Sequence, residues 1–537
     1  MHIKRLLVFI IAWVAFSTAA YAQEAQADAA RQAPPDAPAS EQKAPYFDVW
    51  EYRVQGNTLL ERQDIERAVY PFMGKDKSIQ DIEKARQALQ QRYRDAGYAT
   101  VLVNIPQQKV QNGVVRLKVV EGTVGRLLVS GSRYFSLQRI RDEVPSLAEG
   151  KVPHLPTAQE QLAALNSVLP DRSVTPVLRP GKTPGTVEVD LKVKDELPLH
   201  GSLELNDRYS TDTSRLRLSA MLRYDNLWQK EHSFSLQYQT APEKPGEVKV
   251  WSGTYLARSD TSRNILAVYG VHSTSDTATV GTLAVIGKGD IVGARWIKPF
   301  GGSRKYSHNL TLGLDYKDFK ESIVLQGADS LNTPISYMPW VVQYSGTRRS
   351  DSGITQFGVG ANFGIRGLMN DTTEFDNKRY NARPNYIFLR ANLERDQNLY
   401  WGMLLRAEVD GQLSDSPLIS NEQFSAGGAD SVRGYHESER LGDDAVHGTL
   451  ELHSPLLRRQ WLQDAYALLF FDGAALRVKD PLPAQESHFQ LYSAGIGLRF
   501  QAWDHLNAAV DLARPLKSQN SIQKNDDRIH FSVEHTF

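Results

Sequence analysis

Arg215-Leu216-Arg217-Leu218-Ser219-Ala220-Met221-Leu222-Arg223-Tyr224 is the stretch whose reading decides the fold. Leu216, Leu218, Ala220, Leu222 and Tyr224 lie on one side of an extended chain; Arg215, Arg217, Ser219 and Arg223 lie on the other. A strand sorts side chains this way because successive residues point to opposite faces. A helix, with about 3.6 residues per turn, would mix the two sets. One face is fit for oil and the other for water.

The same period continues to the end of the chain. Ser233 to Gln239 sets Phe234, Leu236 and Tyr238 against Ser233, Ser235, Gln237 and Gln239. Asn309 to Lys317 sets Leu310, Leu312, Leu314 and Tyr316 against Asn309, Thr311, Asp315 and Lys317. Leu405 to Leu413 sets Leu405, Ala407 and Val409 against Arg406, Glu408, Asp410 and Gln412. Further runs centre near Leu203, Trp251, Val268, Ala294, Val341, Val359, Ala391, Leu450, Leu469, Ile496, Val510 and Val533. The expectation is about sixteen strands from Leu199 onward, each about ten residues long, forming a transmembrane antiparallel β-barrel. A large soluble sandwich would also alternate. The barrel is favoured because many polar-face positions carry Arg, Asp and Glu, as a wet lumen permits. Aromatic residues such as Tyr224, Tyr316 and Phe500 also end runs, like an interfacial girdle. The last alternation is Ile529, Phe531, Val533, His535 and Phe537. A terminal Phe on a last strand resembles the signal read by the bacterial barrel-assembly machinery.

No later stretch offers the apolar length of a membrane helix, about eighteen residues or more. The N-terminus reads as an export signal: Lys4-Arg5, then an apolar run from Leu6 to Phe16, then Ala20-Tyr21-Ala22 as a cleavage site. The expected signal peptide is 1–22, and 23–45, rich in Ala, Pro and Gln, is a linker. The chain has no Cys, which excludes disulfides and Cys-based metal or nucleophilic sites. Lys+Arg and Asp+Glu are equal at 62 each, so no charge excess suggests nucleic acid as a partner.

Between 46 and 196 the character is α+β. Strand, helix, helix, strand, strand is read from Asp48 to Val120, with Ile82, Ala85, Leu89 and Tyr93 on one helical face. The order recurs from Val124 to Val193, and Val54-Gln55-Gly56 is echoed by Val129-Ser130-Gly131. Two modules, 46–122 and 123–196, are expected before a barrel at 197–537. Small mixed modules leave strand edges that can accept an extended partner. The strand read over Tyr98 to Ile105, with Tyr98, Val101, Val103 and Ile105, is the expected docking edge.

Neither a Gly-x-Ser-x-Gly elbow, nor a His-Glu-x-x-His, nor a Walker-type loop is found, so no enzyme, metal or cofactor is expected. One segment remains, the polar stretch 414–445 with Gly427-Gly428-Ala429-Asp430-Ser431-Val432-Arg433-Gly434-Tyr435 at its centre. A loop this long is more often packed than free. A buried guanidinium needs a carboxylate. Asp472 is the only charge between Ala465 and Leu476. Two readings stand on the residues alone: a lumen lock of Arg433 with Asp472, or an exposed loop Arg and a wetted Asp.

Val432-Arg433-Gly434-Tyr435, preceded by Phe424-Ser425-Ala426-Gly427-Gly428, resembles the hallmark loop motif of two-partner secretion transporters, the outer-membrane pores of the haemolysin and filamentous-haemagglutinin export type. The resemblance implies two periplasmic POTRA domains and a sixteen-stranded barrel. It places the motif in the loop between strands eleven and twelve, with its Arg paired to an Asp on strand thirteen, here Arg433 and Asp472. The match departs at Gly473, which takes the place next to the Asp where the family tends to show Asp-x-Gly. The family often has a plug helix before its linker, of which 23–45 would hold a reduced version. The implied partners are a secreted exoprotein with an N-terminal secretion domain, outer-membrane lipid, and the barrel-assembly machinery during biogenesis. The rival readings are a barrel-assembly factor, a substrate-specific porin and an outer-membrane hydrolase.

Overall fold

From Leu199 to Thr536 the alternating runs pair antiparallel and close into a ring, so no strand of the large sheet keeps an unpaired edge. The computed structural model describes residues 46–537 apart from 212, 260–262, 276, 281, 282, 302, 304, 321, 325–329, 369, 370, 484 and 521. The expected signal peptide, and the linker with its reduced plug helix, lie outside the described residues. The barrel has sixteen strands, two of them broken. Ile335–Tyr337 and Pro339–Ser350 pair with the same neighbour, Tyr306–Phe319. Asp444–His453 and Leu457–Arg459 both pair with Leu462–Arg477. The second break falls at Pro455, which has no N–H to give the ladder. The fold expected from the period of two is the fold observed.

The wall sorts as the alternation demands. Leu222, Trp251, Leu393, Leu469, Ile496 and Leu512 are exposed on the outside. Ser219, Gln239, Asp315, Gln412, Asp472 and Asp511 are buried. An outer surface this apolar is a lipid-facing surface. The seam joins the last strand, Arg528–Thr536, to the first, Leu199–Asn206. Beyond it Phe537 and Gly201 exchange both backbone hydrogen bonds, at 3.0 Å each. A Cβ at Gly201 would lie 2.1 Å from Phe537 Cζ, so the ring crosses the first strand where only glycine leaves room.

Packing divides the chain into two compact units. One holds residues through Leu127 with Ser146–Gln159 and Leu178–Val189; the other holds Leu128–Pro145, Glu160–Val177 and Asp190–Phe537. In the first module, Glu51–Gln55, Val114–Glu121 and Val101–Asn104 form a sheet in that order, the first pair parallel and the second antiparallel. Helices Arg62–Val69 and Ile79–Asp95 accompany it. Ile82, Ala85, Leu89 and Tyr93 are the buried residues of the longer helix, as their spacing requires. Ser78 and Asp81 form its capping box, and the Ser78 backbone and hydroxyl donors hold the Asp81 carboxyl below its usual range. Asp48 to Val54 is not one strand. It breaks at Trp50, and Phe47–Val49 pairs instead with Gly74–Lys77. Alternation alone does not show that a run changes partner midway.

The strand–helix–helix–strand–strand order recurs in Thr123–Ser130, Leu137–Asp142, Leu155–Val168, Arg172–Pro180 and Thr186–Asp195. The echoed glycines have one geometry. Gly56 has φ +85° and a Cβ there would meet Val119 O at 2.4 Å; Gly131 has φ +89° and would meet Val193 O at 2.5 Å. Behind each, a carboxylate closes the turn. Glu121 accepts from Thr58 N at 2.6 Å, and Asp195 accepts from Arg133 N and Tyr134 N at 2.9 Å.

Gly201→Leu is expected to weaken the seam by the cost of overpacking, about 1–3 kcal/mol. The measurement is the temperature at which the barrel loses its folded gel mobility; an unchanged midpoint would show that the Phe537 ring can move aside freely.

Candidate functional site

The 414–445 segment is not a free loop. Phe424–Ala426 pairs antiparallel with Arg440–Gly442, so the connection between the eleventh strand, Leu404–Ser414, and the twelfth forms a hairpin. Its tip turns through Gly427 (φ +108°) and Gly428 (φ +110°). A Cβ at Gly428 would lie 2.3 Å from the Glu437 carboxylate, which accepts from Ala429 N at 3.0 Å. The paired glycines therefore let the two arms close on each other.

Arg433 is buried, with 4% of its surface accessible, and Asp472 has none. Arg433 Nε donates to Asp472 Oδ2 at 2.8 Å and Nη2 to Oδ1 at 2.7 Å, while the Arg433 backbone N–H reaches Oδ2 at 3.2 Å. The remaining amine, Nη1, lies 2.8 Å from Glu451 Oε1. Asp511, already held by Arg499 at 2.8 Å, stands 4.0 Å away. The guanidinium also covers the Phe470 ring, 3.5 Å from its centroid. A planar fork with five donors fits a bidentate carboxylate, a second acid and an aromatic face together; an ammonium would satisfy only part of the set.

The neighbouring residues seat the hairpin. Val432 and Tyr435 are fully buried in an apolar cluster with Ala474, Leu476, Phe489 and Leu491. Tyr435 donates its hydroxyl to Lys517 O at 2.7 Å. Gly434 has φ +92° and donates its N–H to His530 Nε2 at 3.0 Å. His530 Nδ1 is 3.3 Å from Asp207 Oδ2 but lacks hydrogen-bond geometry there.

Two further ion pairs hold the hairpin's base. Glu422 takes Lys317 Nζ at 2.6 Å and the Tyr337 hydroxyl at 2.7 Å, from the seventh and eighth strands. Asp443 takes Arg379 in a bidentate pair at 2.6 and 2.7 Å, and accepts Leu418 N and Lys479 N. The loop thus touches walls on both sides of the lumen.

The structure brings Val432, Arg433, Gly434, Tyr435 and Asp472 together. Phe537 sits apart, at the seam. Of the first module's edge set, Val101 and Val103 point into the core, and Tyr98 and Ile105 pack against it. Only Leu102 and Asn104 face outward from that strand, which is four residues long. Its outward backbone groups are also taken: Val103 N donates to Gln90 Oε1 and Val103 O accepts from Arg86 Nη1, both at 3.2 Å. The expected docking edge is closed as it stands.

Sequence reasoning passed over Glu451, Phe470 and His530. For His530 the only signal was its inward parity, opposite to Ile529 and Phe531 on the last strand. Gly495 and Gly497 were a second signal. A Cβ at Gly495 would lie 2.4 Å from Phe470 Cζ, and one at Gly497 2.1 Å from Asp511 Oδ1, so both glycines make room for the cage. For metals, one trio among the described residues gathers ligand atoms: Asp171, His200 and Asp225. Arg223 Nε already pairs with Asp225 at 2.9 Å, and His200 Nε2 lies 3.1 Å from Asp171 and 3.4 Å from Asp225.

Comparison with known proteins matches residues 47–122 to the POTRA domain, ShlB-type, and residues 185–500 to the haemolysin secretion/activation protein family ShlB/FhaC/HecB. The outer membrane transporter CdiB of Dickeya dadantii is 22% identical over 76% of this chain and 73% of its own. The heme/hemopexin transporter protein HuxB of Haemophilus influenzae is 20% identical over 88% of this chain and 83% of its own. Among solved structures, CdiB from Escherichia coli superposes with a TM-score of 0.64 at 18% identity, covering 94% of each chain. BamA from Haemophilus ducreyi lacking POTRA domains 1–3 superposes with a TM-score of 0.57 at 14% identity, over 91% of this chain and all of its own. At these identities the superpositions establish the fold.

Asp472→Asn alone is expected to keep the hairpin seated, because Glu451 still faces Arg433, but to speed amide exchange across Gly427–Tyr435. Asp472→Asn with Glu451→Gln is expected to unseat it and raise single-channel conductance in planar bilayers. Parental conductance in the double variant would mean that the apolar seat of Val432 and Tyr435 suffices.

Proposed function

The chain belongs to the haemolysin secretion/activation protein family ShlB/FhaC/HecB, and from that premise we propose how its parts export a protein. The barrel stands in the bacterial outer membrane, with the N-terminal modules on the periplasmic side. The family's partner is a secreted exoprotein. We read this exoprotein as arriving unfolded, its N-terminal secretion domain held by the modules, and as passing through the barrel while the hairpin of 414–445 shifts. Both segments of strand–helix–helix–strand–strand order, 46–122 and 123–196, are taken as POTRA domains in this reading, and Phe537 as the residue offered to the assembly machinery.

The observation that carries the reading is the luminal latch. A folded hairpin is held across a polar lumen by ion pairs in addition to its buried apolar contacts at Leu418, Ile419, Val432 and Tyr435. Such pairs are strong while dry and weaken steeply once water or a polar chain raises the local dielectric. A substrate-specific porin has no need of modules with sheet edges. An assembly factor shares the fold, and the BamA likeness speaks to fold alone. The sequence has no Walker-type loop, so we take folding of the exported protein outside the cell as the driving force.

Arg433→Ala is expected to cut export at least tenfold while the barrel keeps its folded gel mobility. Removing one partner of a buried pair costs about 3–5 kcal/mol locally. The measurement compares proteins in the medium of cells carrying the parent, the variant or neither; the exoprotein is the species that depends on the parent. Export at the parental level from Arg433→Ala would sink the latch. Deleting 46–194 is expected to leave a conducting pore that exports nothing, and export by that pore would remove the modules' role.

A further inference from the structure

Where the twelfth strand breaks, the outer wall of the barrel carries a groove of about 510 Å³. Its floor is the thirteenth strand. Ala465 and Ala467 have the outward parity of Leu469 and Phe471, so two methyl groups stand where the strand next carries large side chains. Leu457 and Phe500 pair with Ala465 from either side, and Leu498 pairs with Ala467, so these three form the walls. On the twelfth strand three residues, 454–456, stand against two, 466 and 467. In this bulge Ser454 turns back onto the ladder. Its N–H reaches Ala467 O at 2.8 Å, and its hydroxyl accepts from Ala467 N at 3.0 Å. Ser454 thus brings no large side chain over Ala467.

The groove lies at the end of the barrel where the modules enter. The first strand starts there at Leu199, so the turns after even-numbered strands lie there too, among them 459–462 and 502–506. Trp461 and Trp503 sit on those two turns, both exposed, with ring centroids 6.1 Å apart. Trp228 and Trp401 are exposed on two other turns of the same end. Trp228, Trp401 and Trp503 have φ of +61°, +59° and +49°, a region that glycine or asparagine enters far more readily than a bulky ring. Exposed indoles held on such a backbone make the aromatic belt of a membrane boundary. The groove therefore runs from the belt into the hydrocarbon. Arg459 follows Leu457 with the same outward parity and stands at the level of the belt. It is exposed and, among the described residues, has no acidic partner, whereas its neighbour Arg458 is held by Asp464 at 2.6 Å.

We propose that this groove is a binding site for an anionic phospholipid of the outer membrane's inner leaflet, with an acyl chain on Ala465 and Ala467 and the phosphate at Arg459. An apolar trough alone would take any chain of the bilayer. The guanidinium at its mouth selects, because its planar fork fits a phosphate and its charge favours a headgroup of net negative charge. A zwitterionic headgroup brings an ammonium beside the same Arg and gains less. The acyl chain also supplies van der Waals contacts that the small side chains on the floor leave unmade. The inference rests on the barrel's place in the outer membrane and is independent of how export proceeds.

The test is native mass spectrometry of the full-length protein in non-ionic detergent with palmitoyl-oleoyl phosphatidylglycerol, or with phosphatidylethanolamine of the same chains. The parent is expected to retain one phosphatidylglycerol, about fivefold more abundantly than phosphatidylethanolamine. Ala465→Phe fills the trough and Arg459→Gln removes the charge. Each is expected to cut the phosphatidylglycerol-bound fraction about fivefold or more. Leu393→Phe, on the outer surface away from the groove, is expected to leave that fraction within about twofold. Parental retention by an Ala465→Phe barrel of folded gel mobility, equal retention of the two lipids by the parent, or no retained lipid at all would overturn the site. An equal loss in Leu393→Phe would place the lipid elsewhere on the wall and overturn it too. If Ala465→Phe fails to fold, Ala467→Leu fills the same trough and carries the same expectation.

Discussion

A guanidinium buried against the inner wall of a barrel has to be met on every side, and the region around Arg433 is built to that requirement. Asp472 and Glu451 come from adjacent strands, offset by two positions in the register, so their carboxylates approach the fork from two directions. Phe470 supplies the face. Desolvating an Arg is costly, and Coulomb attraction offsets the cost only where the hydrogen-bond geometry is nearly complete. Here Nε, Nη1 and Nη2 all have acid partners. The rest of the wall yields to this arrangement: the fourteenth strand gives up side chains at Gly495 and Gly497 so that the ring and Asp511 fit.

The same electrostatics explains why such a cage suits a part that moves in the proposed export. An apolar seat releases its occupant against the full hydrophobic term, wet or dry. An ion pair does not: its attraction falls in proportion as the dielectric rises. The Glu422 pair with Lys317 and the Asp443 pair with Arg379 follow this principle at other points of the loop. Apolar contacts hold it as well, with Leu418 and Ile419 in one buried cluster and Ala426, Val432 and Tyr435 in another. The hairpin is therefore firm while the lumen around it is sealed, and each contact that lets water in weakens the next.

Period two told which residues of each run faced oil, and it held from Arg217 to Thr536. Helical spacing told the buried face of Ile79–Asp95 residue by residue. Both patterns are local, and a sequence carries local patterns well. Neither tells how high along the barrel axis an inward residue sits, or which strand lies opposite a loop. Arg433 and Asp472 were joined by resemblance to a family, and their spacing alone left an exposed Arg open. Glu451 and His530 were inward by parity, like a dozen other polar residues, with nothing to mark their height. The break at Trp50 was hidden for a related reason, since a change of partner strand leaves the alternation intact. Capped edges were hidden more deeply, because a Gln about three turns along a helix does not announce whose backbone it meets.

Edges connect the two halves of the molecule. The barrel disposes of them by closure, and the last bonds, between Phe537 and Gly201, are made where a glycine lets the ring lie across the seam. The modules cannot close, so they cap. Gln90 with Arg86, Gln108 and Asn166 each spend side chains on satisfying a single strand residue. The two modules share element order and turn geometry down to the glycine after the first strand and the carboxylate behind it. They differ at that first strand's outer edge, which the 149–151 turn covers in the second module. Unpaired main-chain groups on an edge invite association with any extended chain.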